Sequence, residues 1–314
     1  MRYRLVTLIG FVIAVTAIAV TSSRITFRYP PAVHETLVPR PASYLGVFEP
    51  GSPPHFREIE RFRDVAGEQP NLAGYYSGWA EPFNMSFATE LHNHGLIPYI
   101  QVDPSFASVA GIAAGDYDTY LRSYADSVRD FSHAVVIGFG HEMNGNWYSW
   151  GYKNTSPEAF VAAWRHIVTV FHTEGADNVT WLWTVNQQER PGSRKISSWW
   201  PGTNYVTWVG IDGYYVKRSD TFSSVFGSTI RQVRALTGKP ILLSETAVSP
   251  RVNQFAGIQD LFNGVQNQNM LGLVWFNENQ PANGPYHQDW QIRSNSQAQA
   301  AFRSGLAELK IAHT

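Results

Sequence analysis

Apolar residues along this chain fall into short continuous runs, and between them lie longer stretches with helical spacing. Residues 44–48, 71–76, 96–102, 134–139, 179–185, 206–211, 241–243 and 271–276 are apolar runs of strand length, several bounded by turn residues. Residues 55–65, 84–93, 117–131, 157–172, 222–236, 254–266 and 296–309 have the spacing of amphipathic helices. In 117–131 the residues Tyr117, Tyr120, Leu121, Tyr124 and Val128 share one face. Ser156 fits the N-cap of the helix over 157–172, Pro157 its first position, and Gly175 lies just past its end. Strand and helix alternate until eight strands are counted, which predicts an α/β fold of the (β/α)8 TIM-barrel type. Residues 187–205 break the rhythm. They read as a long loop carrying Trp199, Trp200 and Pro201, either a sugar platform or a clamp. An open doubly wound sheet fits less well, because no Gly-rich phosphate loop follows the first strand.

The N-terminus follows a different pattern. Arg2 and Arg4 precede an apolar run over residues 5–20, and Ala17-Ile18-Ala19 resembles a small-residue cleavage site. Residues 1–21 therefore read as a signal peptide or membrane anchor. Residues 22–43, with Pro30, Pro31, Pro39 and Pro41, read as an extended tether. The barrel domain is expected over 44–314, outside the cell and either secreted or held at the outer face of the membrane.

Composition narrows the chemistry. The net charge is −1 and only 16% of residues are charged, so no nucleic-acid footprint is implied. There is no cysteine, which excludes disulfides, thiolate metal sites and cysteine nucleophiles. Aromatic residues make up 14% of the chain, including 11 Trp, and their flat faces can fill a core or stack on pyranose rings.

Active residues of such a barrel gather where strands end and loops begin. Taken in strand order, those positions hold Trp79, Asp103, then His141, Glu142 and Asn144, then Asn186 and Gln187. Asp212, Tyr214 and Tyr215 follow, then Glu245, and last Trp275, Asn277 and Glu278. Two glutamates stand out. Glu142 lies in Gly-His-Glu-Met-Asn-Gly-Asn-Trp, and Glu245 follows Ile-Leu-Leu-Ser about a hundred residues later. Two carboxyls on separate strands can meet across one sugar, as glycoside hydrolysis requires. Either glutamate alone could equally be an ion-pair partner. His141-Glu142 lacks the second histidine of a helical zinc motif, so no metal and no cofactor is expected. Asp212 reads as a rim tie, and His92 and His94 as surface residues.

Gly-His-Glu-Met-Asn-Gly-x-Trp, with a Ser-Glu strand end a hundred residues on, resembles glycoside hydrolase family 26 over roughly residues 44–309. The resemblance implies a retaining endo-β-1,4-mannanase on a (β/α)8 barrel. It implies Glu142 as acid/base, Glu245 as nucleophile, His141 beside the acid and Trp147 as a subsite platform. It also implies Tyr214 as hydrogen-bond partner of the nucleophile and Trp275 as the floor under the sugar. Asn144, Trp79, Asp103 and Asn186 are further candidates for substrate contact. Donors such as Tyr214 are expected to keep Glu245 ionised. One departure is visible: Ile137-Gly138-Phe139-Gly140 stands where many members carry Arg-Pro ahead of the histidine, which bears on the outer subsites. Other β-glycans (glucan or xylan) use the same chemistry. A polysaccharide-binding barrel without turnover is the reading from a different class. Oligomeric state is not indicated.

Overall fold

A computed structural model describes residues 36–188, 195–280 and 286–311. The strands are β1 (Tyr44–Phe48), β2 (Leu72–Gly78), β3 (Ile97–Asp103), β4 (Val135–Phe139), β5 (Val179–Asn186), β6 (Trp208–Tyr215), β7 (Ile241–Val248) and β8 (Gly272–Phe276). Each pairs in parallel with its neighbours in sequence, and β8 pairs with β1 to close the barrel. The helices are α1 (Phe56–Ala66), α2 (Met85–Asn93), α3 (Val109–Ala114), α4 (Asp118–Phe131), α5 (Pro157–Thr173), α6 (Phe222–Val225), α7 (Gly227–Leu236), α8 (Gln254–Asn267) and α9 (Ser296–Leu306). This is the (β/α)8 barrel that the alternating pattern predicts.

The differences from the sequence reading have local causes. Helix α3 was not anticipated, because Val-Ala-Gly-Ile-Ala-Ala has no polar face to mark a period. The helix expected over 222–236 is two helices, α6 and α7, which part at Phe226-Gly227. Strands β6 and β7 continue past their apolar runs to Tyr215 and Val248, because buried polar side chains occupy their upper halves. Among the described residues between β5 and β6 there are only two short 3-10 turns, Ile196–Trp199 and Thr203–Tyr205. Trp199 packs edge-on against Phe160 (5.6 Å) and Trp200 against Trp183 (5.1 Å), so both clamp the loop to the protein.

Residues 36–43, the end of the expected tether, belong to the domain. Leu37 is buried, Thr36 Oγ1 meets Thr180 Oγ1 at 2.7 Å, and Ala42 N donates to Met270 O. The signal or anchor segment, 1–21, lies outside the described residues, as does the rest of the tether up to residue 35. No helix among the described residues is long and apolar enough to cross a membrane.

Two layers hold the barrel together. Outside the strands, Phe139, Trp164, Trp181 and Phe171 pack against each other between sheet and helices. Inside, the lumen is polar in its upper half. Gln101 Nε2 donates to Tyr99 Oη (2.5 Å) and to Thr184 Oγ1 (3.2 Å), and Ser244 Oγ donates to Asp212 Oδ1 (2.5 Å). Room for this layer comes from glycines. A Cβ on Gly210 would lie 2.4 Å from Thr184 Oγ1 and 2.5 Å from Ser244 Oγ.

Candidate active site

Two backbone irregularities aim the two glutamates. Strand β4 ends at Phe139, and Glu142 stands three residues further on, in a turn where Gly140 and Glu142 both have φ of 54°. A left-handed conformation suits glycine and costs other residues about 1–2 kcal/mol. The turn is held by Gly140 N donating to Val102 O (3.0 Å), Glu142 N to Thr184 O (3.1 Å) and Gly145 N to Glu142 O (2.7 Å). Strand β7 contains the second irregularity. Its pairing shifts by one residue against both neighbours: Gly210 and Asp212 face Leu242 and Glu245, while Leu273 and Trp275 face Leu243 and Thr246. The extra residue is a β-bulge, which re-aims side chains. Ser244 and Glu245, although consecutive, both reach inward, Ser244 to Asp212 and Glu245 to Tyr76 and Tyr214.

Both carboxylates are held by donors on both oxygens. Glu142 Oε2 accepts from Trp147 Nε1 at 2.8 Å, and Oε1 accepts from Asn186 Nδ2. Glu245 Oε1 accepts from the Tyr214 hydroxyl and Oε2 from the Tyr76 hydroxyl. Burial, then the charge of Glu245, pushes both phenol pKa values up, so both remain O–H donors. Tyr76 is 40% exposed as a whole residue, although its hydroxyl is turned in onto Glu245; its ring stacks on Phe48 (4.9 Å) and leans on His141 (5.4 Å), bridging the two halves of the site.

His141 is the cation of this cluster. Burial alone would lower its pKa, but the charge and hydrogen bond of Asp103, then the charges of Glu142 and Asp212, outweigh it and bring it to about 10. Nδ1 donates to Asp103 Oδ1 (3.0 Å) and Nε2 to the Tyr148 hydroxyl (3.1 Å). Glu245 does not meet the expectation of a carboxylate kept ionised by its donors. Burial, then the charge of Glu142, pushes its pKa up to about 7, against the lowering effect of His141 and the two tyrosines. Desolvation outweighs hydrogen bonding there. Asp212, fully buried on β6, is raised well above its ordinary value by burial first and then by Glu245 and Glu142.

Asp103→Asn removes the charge chiefly responsible for keeping His141 protonated, so an imidazole titration by NMR should find its pKa well below about 10. A raised histidine stabilises the fold fully below its unfolded value of about 6.5, and that stability is lost as pH rises through the folded value. The variant should lack this contribution, so its deficit against the wild type is largest at and below about pH 6.5 and closes as pH rises towards about 10. With less positive charge beside Glu245, the acid limb of kcat/KM should also move to higher pH.

The structure brings Glu142, Glu245, His141, Asp103, Asn186, Trp147 and Tyr214 to one mouth, but it changes what several of them do. Asn144 Oδ1 accepts from Asn186 N and its Nδ2 donates to Asn186 O, both at 2.8 Å, so it clamps a backbone instead of facing a sugar. Trp275 is a correction. Its side chain points out of the barrel, fully buried, with Nε1 donating to Trp290 O (3.0 Å) and its ring edge-on to Phe302 of α9 (5.1 Å). Phe276, its neighbour in β8, faces Tyr214 instead (5.9 Å). Trp275→Ala should cost about 3–5 kcal/mol of stability and leave KM unchanged, as denaturant titration and kinetics would show. Trp79 is likewise turned away, packed on Tyr117 (5.6 Å), Tyr120 (5.0 Å) and Phe139 (6.0 Å).

Two cavities adjoin the tyrosines that hold Glu245. One, of about 300 Å³, adjoins Tyr76 and is lined by Phe48, Glu49, Phe276 and Glu278. Burial brings the Glu49 carboxyl in this wall up to about 8, although Asn277 Nδ2 donates to it. The other, of about 470 Å³, adjoins Tyr214 and is lined by Gln187, Lys217, Asp220 and Tyr286. Trp147 stands 54% exposed beside Glu142. Tyr76, Tyr148, Phe48 and Glu49 were not singled out from the sequence. A tyrosine pair such as Tyr75-Tyr76 does not say which ring faces inward until the strand's neighbours are known.

A parallel barrel whose mouth joins two charge-coupled carboxyls, an imidazolium and exposed aromatic faces is the framework of a glycoside hydrolase. The pattern described as Glycosyl hydrolase family 26 matches residues 114–308, and the chain belongs to that family. Endoglucanase H of Acetivibrio thermocellus is 29% identical over 273 residues, 82% of this chain but only 29% of that protein's length. A mannan endo-1,4-beta-mannosidase of Bacillus subtilis is 23% identical over 286 residues, 75% of each chain. The solved structure of a Cellulomonas fimi endo-beta-1,4-mannanase double mutant superposes with a TM-score of 0.66 at 16% identity, covering 86% of this chain and 72% of that one. At that identity the likeness speaks for the fold.

Proposed function

We propose that this chain is a retaining, endo-acting hydrolase of a β-1,4-linked polysaccharide, with mannan as its first substrate. Glu142 protonates the leaving oxygen while Glu245 attacks the anomeric carbon. The glycosyl-enzyme bond is then broken by water that the deprotonated Glu142 activates. One observation carries this reading: Glu142 and Glu245 open on one mouth, linked by Tyr76, which donates to Glu245 and leans on His141, the residue before Glu142. Trp147 is read as a platform beside the cleaved bond, with His141, Tyr214 and Asn186 around it. Separate cavities beside Tyr76 and Tyr214, the two residues that hold Glu245, offer room for more than one sugar, which favours endo action. A β-glucan is the second reading, favoured by the identity to the protein named endoglucanase H. The basic and apolar start of the chain supports export, by a cleaved signal or an uncleaved anchor.

The test is a panel of mannans, β-glucans and xylans assayed for new reducing ends with the full chain. NMR of the first product reports its anomeric configuration, and viscosity reports internal cleavage. Release with inverted configuration would remove the double-displacement mechanism. Binding without cleavage of any polysaccharide would favour a non-catalytic barrel.

A further inference from the structure

The loop from β3 to α3 presents one residue in an unusual way. Phe106 is fully exposed, with a relative accessibility of 106%, and its φ is 67°. A phenyl ring in water and a left-handed backbone at a residue other than glycine are each unfavourable, and the same residue carries both. The loop around it is pinned. Ala107 N donates to Pro104 O (3.2 Å), Ser108 N to the Tyr117 hydroxyl (3.2 Å), and Ser108 Oγ accepts from Gly111 N (3.1 Å). The ring is therefore displayed by a fixed turn.

Its position gives the display a use. Phe106 follows Asp103 by three residues, and Asp103 holds His141. Three residues of chain span at most about 11 Å, about two sugar units. Trp147, which follows β4, is another large exposed aromatic residue among those described, at 54%. Pyranose rings present flat apolar C–H faces, and an aromatic face gains by covering them.

We propose that Phe106 is the platform of an additional subsite on the β3–β4 side of the mouth, stacking on a sugar of the bound β-linked chain beyond the one at Trp147. This rests on the reading of the chain as a β-glycan hydrolase. Strain and exposure persist at Phe106 because the polymer, not the protein, covers the ring.

The experiment compares wild type, Phe106→Ala, Phe106→Gly and Phe106→Trp, as full chains, on a length series of oligosaccharides from the best substrate of the panel. For Phe106→Ala the loss in kcat/KM is expected to grow with chain length, reaching about tenfold on the polymer, mostly through KM. Phe106→Trp should retain the wild-type profile. Phe106→Gly should show the same length-dependent loss with a higher Tm, since glycine takes φ of 67° without strain. A loss equal at every length, or none, overturns the subsite. Retardation in polysaccharide-containing gels gives an arm that does not depend on turnover. If the wild type cuts nothing, the hydrolase reading fails, and the gel arm alone decides on Phe106. Weaker retardation of Phe106→Ala supports the subsite. Equal retardation of both proteins, or none of the wild type, overturns it.

Discussion

Glu245→Gln is expected to remove nearly all turnover, about 10⁴-fold or more, and at the same time to make the protein more stable at pH 8. Both effects have one origin. Burial, then the charge of Glu142, pushes the Glu245 carboxyl up to about 7 in the fold, from an ordinary value of 4.5. A carboxyl raised on folding binds its proton more tightly in the native state. Stability therefore falls as pH rises from the unfolded value through the folded one. Above pH 7 the native protein carries a buried charge that glutamine lacks, and the gain on substitution should approach about 3 kcal/mol. Below about pH 4.5, wild-type Glu245 is protonated in both states, so the gain should vanish. Urea titrations of both proteins at pH 4 and pH 8 check this, and a gain of equal size at both would refute it. In the wild type, kcat/KM should rise with pH through about 7 as the proposed nucleophile ionises.

The second large effect is at Glu142. Glu142→Gln should lower kcat on polysaccharide by about 10²–10⁴-fold, the usual contribution of a positioned general acid. Glycosides whose leaving group departs without a proton should lose much less in the first chemical step. Equal losses on both substrates would exclude the acid role. Glu142→Gly should be equally inactive but more stable, by about 1 kcal/mol, because glycine adopts φ of 54° without penalty. Thermal unfolding of Glu142→Gly beside Glu142→Ala isolates the backbone contribution from the loss of the carboxylate.

Much of the barrel is legible along the chain because its strands are apolar on both faces and its helices are amphipathic, two periods that differ plainly. The exceptions are instructive. The upper half of β6 hides from an apolar-run criterion because Asp212, Tyr214 and Tyr215 are buried in it. Of the candidate residues, Glu142, Glu245 and Tyr214 are marked by sequence context, and the structure finds them at one mouth. Trp275 and Trp79 show the limit of that approach. A strand-end tryptophan faces either sugar or helix, and one residue of register decides between them. Tyr76 is hidden for the same reason, since its place in the site depends on Glu245, far away in sequence. The raised pKa of Glu245 is not legible in the sequence, because motifs point to hydrogen-bond donors but not to the burial that outweighs them.

The bulge in β7 has a consequence for how this enzyme can change. A strand of even pleat offers the lumen every second residue, and here two adjacent ones are offered because the strand is one residue longer than its neighbours need. Deleting Ser244, the one residue between Leu243 and Glu245, would restore even pairing with both glutamates still encoded, yet it would strip Asp212 of its hydroxyl donor and move Glu245 one place along the strand, away from Tyr76 and Tyr214. Loss of activity in a descendant of this chain can therefore arise from a change of length that a comparison of residue identities alone would miss.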